Sequence, residues 1–311
     1  MANETRNAYG IKLAELVKDN ADIIVLDADL TKSTKTIEAK KVAPNQHFNA
    51  GIAECNMMGM AAGLAASGKR VFASSFAMFA AGRAYEIIRN SICYPNLNVK
   101  ICATHAGLSV GEDGASHQCI EDIALMRVIP NMQVFVPSDQ YETMAVIEHV
   151  AKLDGPCYVR MGRGKVEDIY DENTVFDFTK IRKIVSGSKA VVFAAGLMVQ
   201  EAIKVSEEFK TKGIDISVVD VCAIKPLDVE GVIAEACKHE YVFVAEEHNV
   251  IGGLYSAICE AIAQSTTPKR IIPIGVNDTF GESGKGPDVL EKYGMTSKHL
   301  KEVILKTLEI K

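Results

Sequence analysis

The segment Val99-Lys100-Ile101-Cys102-Ala103-Thr104 runs directly into His105-Ala106-Gly107-Leu108-Ser109-Val110-Gly111-Glu112-Asp113-Gly114-Ala115-Ser116-His117. The first part is mostly apolar, which is typical of a buried strand. The second part is a glycine-rich loop with two histidines and two carboxylates. Open α/β sheets bind ligands beyond the carboxyl ends of their strands. The segment therefore predicts a loop that handles a sugar or a cofactor at a strand end.

Helical and strand patterns alternate on both sides of this segment through the first 160 residues. Strands that are apolar throughout and separated by helices indicate a parallel sheet covered on both faces. The predicted strands are 23–27, 70–74, 99–104, 132–136 and 157–160, and the predicted helices are 5–17, 53–66, 79–91, 120–127 and 139–152.

A polar, acidic stretch without a sustained period follows, and the alternation restarts at Lys189. The second part is predicted to contain strands 190–194, 214–221, 241–245 and 271–276, with helices 199–209 and 229–236, a helix after Gly253, and closing helices near Val289 and Leu300. We therefore predict an α/β domain over residues 1–165, a linker over 166–187, and a smaller α/β domain over 188–311.

The composition restricts the class of protein. The chain has 311 residues, 48% of them hydrophobic, which is enough for two domains with separate cores. The net charge is −6 and lysines and arginines are not clustered, so nucleic acid or an anionic membrane is a poor candidate partner.

The polar N-terminus lacks a signal-peptide pattern and no apolar run approaches ~20 residues, which predicts a cytoplasmic location. Eight scattered cysteines without a C-x-x-C pair predict reduced thiols.

Three motifs together resemble one enzyme family. They are Gly51-Ile52-Ala53-Glu54, Phe76-Ala77-Met78-Phe79 and the run from Gly111 to Gln118. The chain resembles the C-terminal half of transketolase, the thiamine diphosphate enzyme that moves two-carbon ketol units between sugar phosphates. The resemblance covers nearly all of the chain and implies a pyrimidine-binding domain followed by a transketolase C-terminal domain. It identifies the chain as the C-terminal member of a split transketolase.

The resemblance implies that four residues contact the cofactor, with Glu54 also catalytic. Glu54 matches the glutamate that hydrogen-bonds the aminopyrimidine ring, Phe76 and Phe79 match its aromatic wall, and Asp29 matches an aspartate near the thiazolium. Taken alone, a first-turn glutamate and a phenylalanine pair at helical spacing are ordinary structural features. The chain departs from the family at Cys55, where a histidine is common, and at Gly82, where many transketolases have a third aromatic residue that Tyr85 could replace.

The resemblance also implies a substrate-binding set. His105 matches a phosphate ligand, Asp113 matches a reader of the donor C2 hydroxyl, and His117 matches a catalytic group near the donor C1 hydroxyl. Further matches to phosphate-binding positions are Arg6, Ser33 and Arg160, with Arg163 close enough in sequence to compete with Arg160. The two histidines lack a metal-ligand spacing, so no metal ligand is predicted from this chain.

The motifs that hold the diphosphate and its metal are missing. The family supplies them as G-D-G followed further on by an N-N pair, and this sequence has neither. The resemblance therefore implies a separate N-terminal transketolase chain with that motif as partner, an α2β2 assembly, and thiamine diphosphate with Mg²⁺ or Ca²⁺ held mainly by the partner.

Four other functions compete with this interpretation. The β chain of a 2-oxoacid dehydrogenase shares the fold and the glutamate, but its substrates carry no sugar phosphate. A deoxyxylulose phosphate synthase is normally one continuous chain. A transketolase-like protein for an unusual sugar, branched or sulfonated, has the same motifs. A noncatalytic α/β protein would have no reason to keep all the site residue types.

Overall fold

The segment Val99–Thr104 is a strand at the centre of a seven-stranded sheet in the computed structural model, which describes residues 3–309. In chain order the strands of the described residues are β1 (Asn3–Glu4), β2 (Ile23–Asp27), β3 (His47–Asn49), β4 (Arg70–Phe76), β5 (Val99–Thr104), β6 (Gln133–Phe135), β7 (Cys157–Arg160), β8 (Lys165–Val166), β9 (Arg182–Val185), β10 (Ala190–Ala194), β11 (Ile216–Asp220), β12 (Ala223–Lys225), β13 (Tyr241–Asn249) and β14 (Ile271–Val276).

The helices cover both faces of the sheets. They are α1 (Thr5–Asp19), α2 (Ile37–Val42), α3 (Glu54–Ala66), α4 (Tyr85–Ile87), α5 (Asp122–Arg127), α6 (Gln140–Lys152), α7 (Leu197–Lys210), α8 (Val229–Ala236), α9 (Leu254–Ile262), α10 (Gly286–Lys292) and α11 (Ser297–Leu308). Short 3₁₀ turns form at Pro44–Gln46 and Leu108–Asp113. Among residues 3–309, no helix is long and apolar enough to cross a membrane.

The larger sheet has the order β12-β6-β7-β5-β4-β2-β3, and every pair from β6 to β3 is parallel. Parallel pairing places the carboxyl ends of β2, β4, β5 and β7 at one edge. The predicted parallel sheet is therefore confirmed. Strand β12 comes from the second half of the chain and pairs antiparallel with β6, which ties the two halves together.

The two faces of this sheet bury different side chains because successive strand residues point to opposite sides. Ile24 and Leu26 of β2 belong to the core cluster that includes α3, whereas Ile23 and Val25 belong to the cluster that includes α1 and α6. Burial of each such aliphatic side chain stabilises the fold by about 1.5–3 kcal/mol. This double coverage explains why the strands read as continuous apolar runs.

The second sheet has the order β14-β13-β10-β11-β9. Strands β10, β11, β13 and β14 pair in parallel, whereas β9 is an antiparallel edge strand. Strand β9 lies inside the segment predicted as a linker and belongs to the second sheet. The predicted second α/β domain is thus confirmed as a fold, with one strand more than the sequence pattern indicated.

The helix predicted over residues 79–91 is irregular, which corrects the expectation of one regular helix. Wider π-type turns at Met78–Arg83 and Ile88–Cys93 flank the short α4. A Cβ atom on Gly82 would lie 2.2 Å from the Met78 Cε atom, so the methionine fills the space beside this glycine. Irregular turns of this kind occur frequently at functional sites.

A buried ion pair within the first domain also contacts the second half of the chain. Arg160 at the end of β7 donates through Nε to both Asp122 carboxylate oxygens, at 3.1 and 2.9 Å, and through Nη2 to the Glu247 carbonyl at 2.9 Å. The Tyr158 hydroxyl donates to Asp122 at 2.7 Å. Burial alone would lower the pKa of Arg160, but the Asp122 and Glu247 carboxylates outweigh it and raise that pKa.

Asp122→Asn should lower the free energy of unfolding by about 3–5 kcal/mol, because it leaves the Arg160 charge buried without its counter-ion. Urea unfolding of the purified chain measures this change. Asp19→Asn, at an exposed position at the end of α1, is the matched control and should change stability little. A loss below about 1 kcal/mol for Asp122→Asn would contradict a stabilising role for this pair.

Candidate active site

The site begins where β4 and β5 end side by side. Phe76 pairs with Thr104 in the parallel register, so the next residue, His105, lies against Phe76. The two rings are stacked, with centroids 3.8 Å apart and an interplanar angle of 25°. His105 adopts a left-handed backbone conformation with φ of 56°. That turn directs the chain out of the sheet and keeps the imidazole at its edge.

His105 is buried and hydrogen-bonded at both ring nitrogens. Arg6 Nη1 lies 3.3 Å from Nε2, and Thr104 Oγ1 lies 2.8 Å from Nδ1. Burial lowers the pKa of His105 to about 3, with further lowering by the charges of Arg6, Arg163 and His117. A neutral imidazole has one N–H, and arginine can only donate, so Nε2 accepts from Arg6 while Nδ1 donates to Thr104.

Arg6 also connects His105 to Ser33. Its Nη1 donates to the Ser33 carbonyl at 3.1 Å, and its Nε and Nη2 donate to the Glu4 carboxylate. Three residues that are far apart in sequence, Arg6, Ser33 and His105, are thereby brought together. Their roles as phosphate ligands stay predictions.

The glycine-rich loop places His117 over the aromatic pair. The His117 ring meets Phe79 edge-on at 5.2 Å and Phe76 at 6.3 Å. The loop bends at Gly111 and Gly114, which have φ of 80° and 74°. A Cβ atom on Gly114 would lie 2.4 Å from Ser283 Oγ, so glycine is required there. Asp113 sits in the same loop and is exposed.

Glu54 begins α3 and is buried, with 2% of the residue exposed. Arg83 Nη1 donates to Glu54 Oε2 at 2.7 Å, and the Arg83 guanidinium carbon lies 5.0 Å from the Phe79 ring centroid. Phe79 stacks on Phe76 at 6.0 Å. The side chains thus form a continuous row from Glu54 through Arg83, Phe79 and Phe76 to His105.

Asp29 follows β2 at the same edge of the sheet. It is exposed, has φ of 62°, and its backbone N–H donates to Asn49 Oδ1 at 3.0 Å. Its buried neighbour Asp27, which was not predicted as a site residue, contacts His47 Nε2 at 2.6 Å. Burial raises the pKa of Asp27, but hydrogen bonds from His47, Thr31 and Thr36 outweigh it and lower that pKa. A carboxylate inside an otherwise apolar strand is the signal that could have identified this anchor of the β2 turn.

The two candidate arginines have different surroundings. Arg160 donates hydrogen bonds to the Asp122 carboxylate and to the carbonyls of Cys119 and Glu247. Arg163 is partly exposed, donates to the Val110 carbonyl and to Glu112, and contributes to the lowered pKa of His105. Arg163 is therefore the more accessible of the two arginines, and its charge acts on His105.

The third aromatic position has no ring. Gly82 occupies it, and Met78 packs against Gly82, while Tyr85 is half-buried further along the helix. Within residues 3–309, no group of three or more histidine, cysteine, aspartate or glutamate side chains could hold a metal ion. The buried Glu54 carboxylate and the Phe76–Phe79 wall nevertheless fit an aromatic ring that carries a hydrogen-bonding nitrogen.

Comparison with known proteins identifies the two domains. Residues 2–168 match the family "Transketolase, pyrimidine binding domain", and residues 179–300 match "Transketolase, C-terminal domain". The two α/β domains, in this order, are the pyrimidine-binding and C-terminal domains of a transketolase-type protein.

Relatives agree with this class. A "Putative transketolase C-terminal section" of Methanocaldococcus jannaschii is 48% identical over 306 residues, covering 98% of this chain and 96% of that protein. A solved "Split gene transketolase, inactive beta4 tetramer" is 48% identical with a TM-score of 0.91 and 99% coverage of both chains. The chain belongs to the transketolase family.

Continuous transketolases share the fold over about half their length. The Campylobacter jejuni enzyme superimposes with a TM-score of 0.83 at 23% identity, covering 98% of this chain and 47% of that one. The chain thus shares its fold with about half of that enzyme.

His105 should make stability depend on pH. The pKa of His105 in the folded chain is about 3, below the ordinary value of 6.5, so the folded state favours the neutral imidazole. Its contribution to the free energy of unfolding is therefore lost as the pH falls from 6.5 toward 3. Between about pH 7 and pH 4 we expect a loss of roughly 3 kcal/mol from this group. Urea unfolding of wild type and His105→Gln at both pH values measures it, with exposed His299→Gln as control. Equal pH dependence in wild type and His105→Gln would contradict the prediction.

Proposed function

We propose that this chain is the C-terminal subunit of a split, thiamine diphosphate-dependent transketolase. It would transfer two-carbon ketol units from a ketose phosphate to an aldose phosphate once joined to an N-terminal subunit. The observation that carries the proposal is the row in which the buried Glu54 is linked through Arg83 to an aromatic wall whose other end contacts His105. The split relatives support the same conclusion.

The proposed cofactor site uses residues at one end of this row. Glu54 would share a proton with the aminopyrimidine ring nitrogen in a hydrogen bond, and Phe79 with Phe76 would stack on that ring. When bound, thiamine diphosphate supplies a carbon nucleophile that stabilises the transferred ketol unit. A carboxylate held in a buried site can share a proton with a weakly basic ring nitrogen. Asp29 lies at the same sheet edge, where its charge would suit the cationic thiazolium.

The other end of the row would bind the sugar phosphate. A phosphate dianion needs fixed cations and hydrogen-bond donors. Arg6 and Arg163 supply positive charge around the neutral His105, and Ser33 lies beside Arg6. His117, between the loop and the aromatic pair, would hold the donor C1 hydroxyl, and Asp113 would read the C2 hydroxyl.

Arg160 is a weaker phosphate candidate than the sequence pattern indicated. Its charge is already balanced by Asp122, and a phosphate would have to compete with that buried carboxylate. We therefore assign the phosphate contact to Arg163, which is partly exposed beside Glu112.

The proposed assembly is an α2β2 heterotetramer. The partner would carry the G-D-G and N-N motif and hold the diphosphate with Mg²⁺ or Ca²⁺. A solved relative is described as an inactive β4 tetramer, which supports the idea that such a chain needs a different partner for activity.

A substrate other than a common pentose phosphate is a second candidate. Two relatives of similar length are named for unusual sugars. A 6-deoxy-6-sulfo-D-fructose transketolase subunit of Clostridium sp. is 36% identical, and one chain of an apulose-4-phosphate transketolase of Phocaeicola vulgatus is 33% identical. The acceptor and donor panel in the activity test must therefore include sulfonated and branched sugars.

Activity should appear only in the mixture of this chain with an N-terminal subunit that has the metal motif. The measurement is ketol transfer from xylulose 5-phosphate to ribose 5-phosphate with thiamine diphosphate and Mg²⁺. Glu54→Gln should assemble normally yet abolish exchange of the cofactor C2 proton. A stable complex without ketol transfer from any sugar would favour the β chain of a 2-oxoacid dehydrogenase. Unchanged exchange of the C2 proton in Glu54→Gln would show that Glu54 does not have its proposed role.

Arg163→Met should raise the KM for phosphorylated acceptors by roughly 10- to 100-fold, the loss of one charge-assisted hydrogen bond worth about 1.5–3 kcal/mol. Steady-state kinetics with erythrose 4-phosphate and with unphosphorylated erythrose measure the effect. Arg160→Met is the comparison variant and should mainly reduce stability. An equal KM change for both acceptors would argue against a phosphate contact at Arg163.

A further inference from the structure

The contacts of Arg83 are unusual for a residue next to a proposed cofactor carboxylate. Its guanidinium donates to Glu54 at 2.7 Å and lies over the Phe79 ring at 5.0 Å. Within residues 3–309, Arg83 is the only side chain that donates a hydrogen bond to Glu54. The Glu54 side chain is 2% exposed, whereas that of Arg83 is 51% exposed. A buried carboxylate is therefore satisfied by a cation that reaches it from the surface.

These two contacts are the same two that an aminopyrimidine would make. A guanidinium is planar, presents N–H donors to a carboxylate and stacks on an aromatic face. A ring that contacts the same carboxylate and the same Phe79 face needs the same space. We infer that the Arg83 guanidinium is an internal placeholder for the aminopyrimidine and must be displaced when the cofactor binds. The inference rests on the proposed function, which assigns Glu54 and Phe79 to the cofactor.

The local structure allows the Arg83 side chain to move away from Glu54 without a change in the backbone. The Cys55 thiol donates to the Arg83 carbonyl at 3.4 Å, and Ala80 and Ala84 on either side of Arg83 are buried. These contacts hold the backbone at Arg83, and one of them comes from Cys55, where the family often has histidine. The guanidinium itself is half exposed, so water can solvate it after displacement. Because water and salt reach the Arg83 end of the pair, a ligand that takes over the contact to Glu54 can break it.

Arg83, as the placeholder, explains how the buried Glu54 carboxylate is stabilised before the cofactor binds. Without a donor, an ionised Glu54 would be buried and unpaired, which is costly. With Arg83 as donor, the Glu54 carboxylate is paired and positioned at the start of α3. Cofactor binding must then replace the Arg83–Glu54 hydrogen bond by one between Glu54 and the ring nitrogen, so the apparent affinity is multiplied by the fraction of molecules in which Arg83 has left the site.

Arg83→Met in the complex with the N-terminal subunit tests this inference. We expect thiamine diphosphate to bind about 3- to 10-fold more tightly than in wild type, as measured by isothermal titration calorimetry with Mg²⁺ present. The ratio between variant and wild type should shrink at high ionic strength, because salt screens the Arg83–Glu54 pair. Arg89→Met removes the same charge from an exposed position on the same irregular helix and should leave the affinity unchanged.

Three outcomes separate the possibilities. Weaker binding in Arg83→Met would show that Arg83 supports the bound cofactor and would overturn the inference, as would an affinity equal to that of Arg89→Met. Glu54→Gln tests the underlying assignment in the same titration. If Glu54→Gln weakens binding while Arg83→Met has no effect, only the placeholder is wrong. If neither variant changes binding, the assignment of Glu54 to the cofactor fails. Thermal unfolding of each variant confirms that it is folded.

Discussion

The parallel pairing of β4 with β5 is the constraint on which the site depends. Its register sets Phe76 opposite Thr104, and the left-handed turn at His105 then brings an imidazole onto the phenylalanine ring. Because β2 pairs with the other side of β4, Asp29 emerges at the same edge. Phe76 and Phe79 are close in sequence, but Glu54 and His105 are brought to them only by the fold. The sheet supplies that proximity.

The sheet could be predicted from the sequence, whereas the irregular helix could not. Strands at 23–27, 99–104, 157–160, 190–194 and 271–276 have the predicted bounds, because strands buried on both faces leave long apolar runs with clear ends. Strand β12 was missed because its identity depends on pairing with β6 in the other half of the chain. The π-type turns were missed because apolar periodicity does not distinguish wider turns from a regular α-helix.

The choice between Arg160 and Arg163 shows the same limit at the level of one side chain. Both follow the apolar run of β7, and both fit a role at the end of that strand. Asp122 distinguishes their surroundings, because it is buried beside Arg160 and pairs with it, whereas Arg163 is partly exposed. That carboxylate lies on α5, and only the tertiary fold shows that it meets β7. The residue types at the site could therefore be predicted, but the distribution of charge among them could not.

The row of side chains separates two kinds of electrostatic environment. At one end, a buried carboxylate, Glu54, is matched by one displaceable cation, Arg83. At the other end, Arg6 and Arg163 surround a histidine whose pKa is lowered to about 3, so the positive charge there is carried by arginines and does not change near neutral pH. The apolar rings of Phe76 and Phe79 lie between the two ends. The histidine end offers guanidinium N–H groups to an anionic substrate, although Arg6 also pairs with Glu4 and Arg163 with Glu112, while the carboxylate end suits a ring that shares a proton with Glu54.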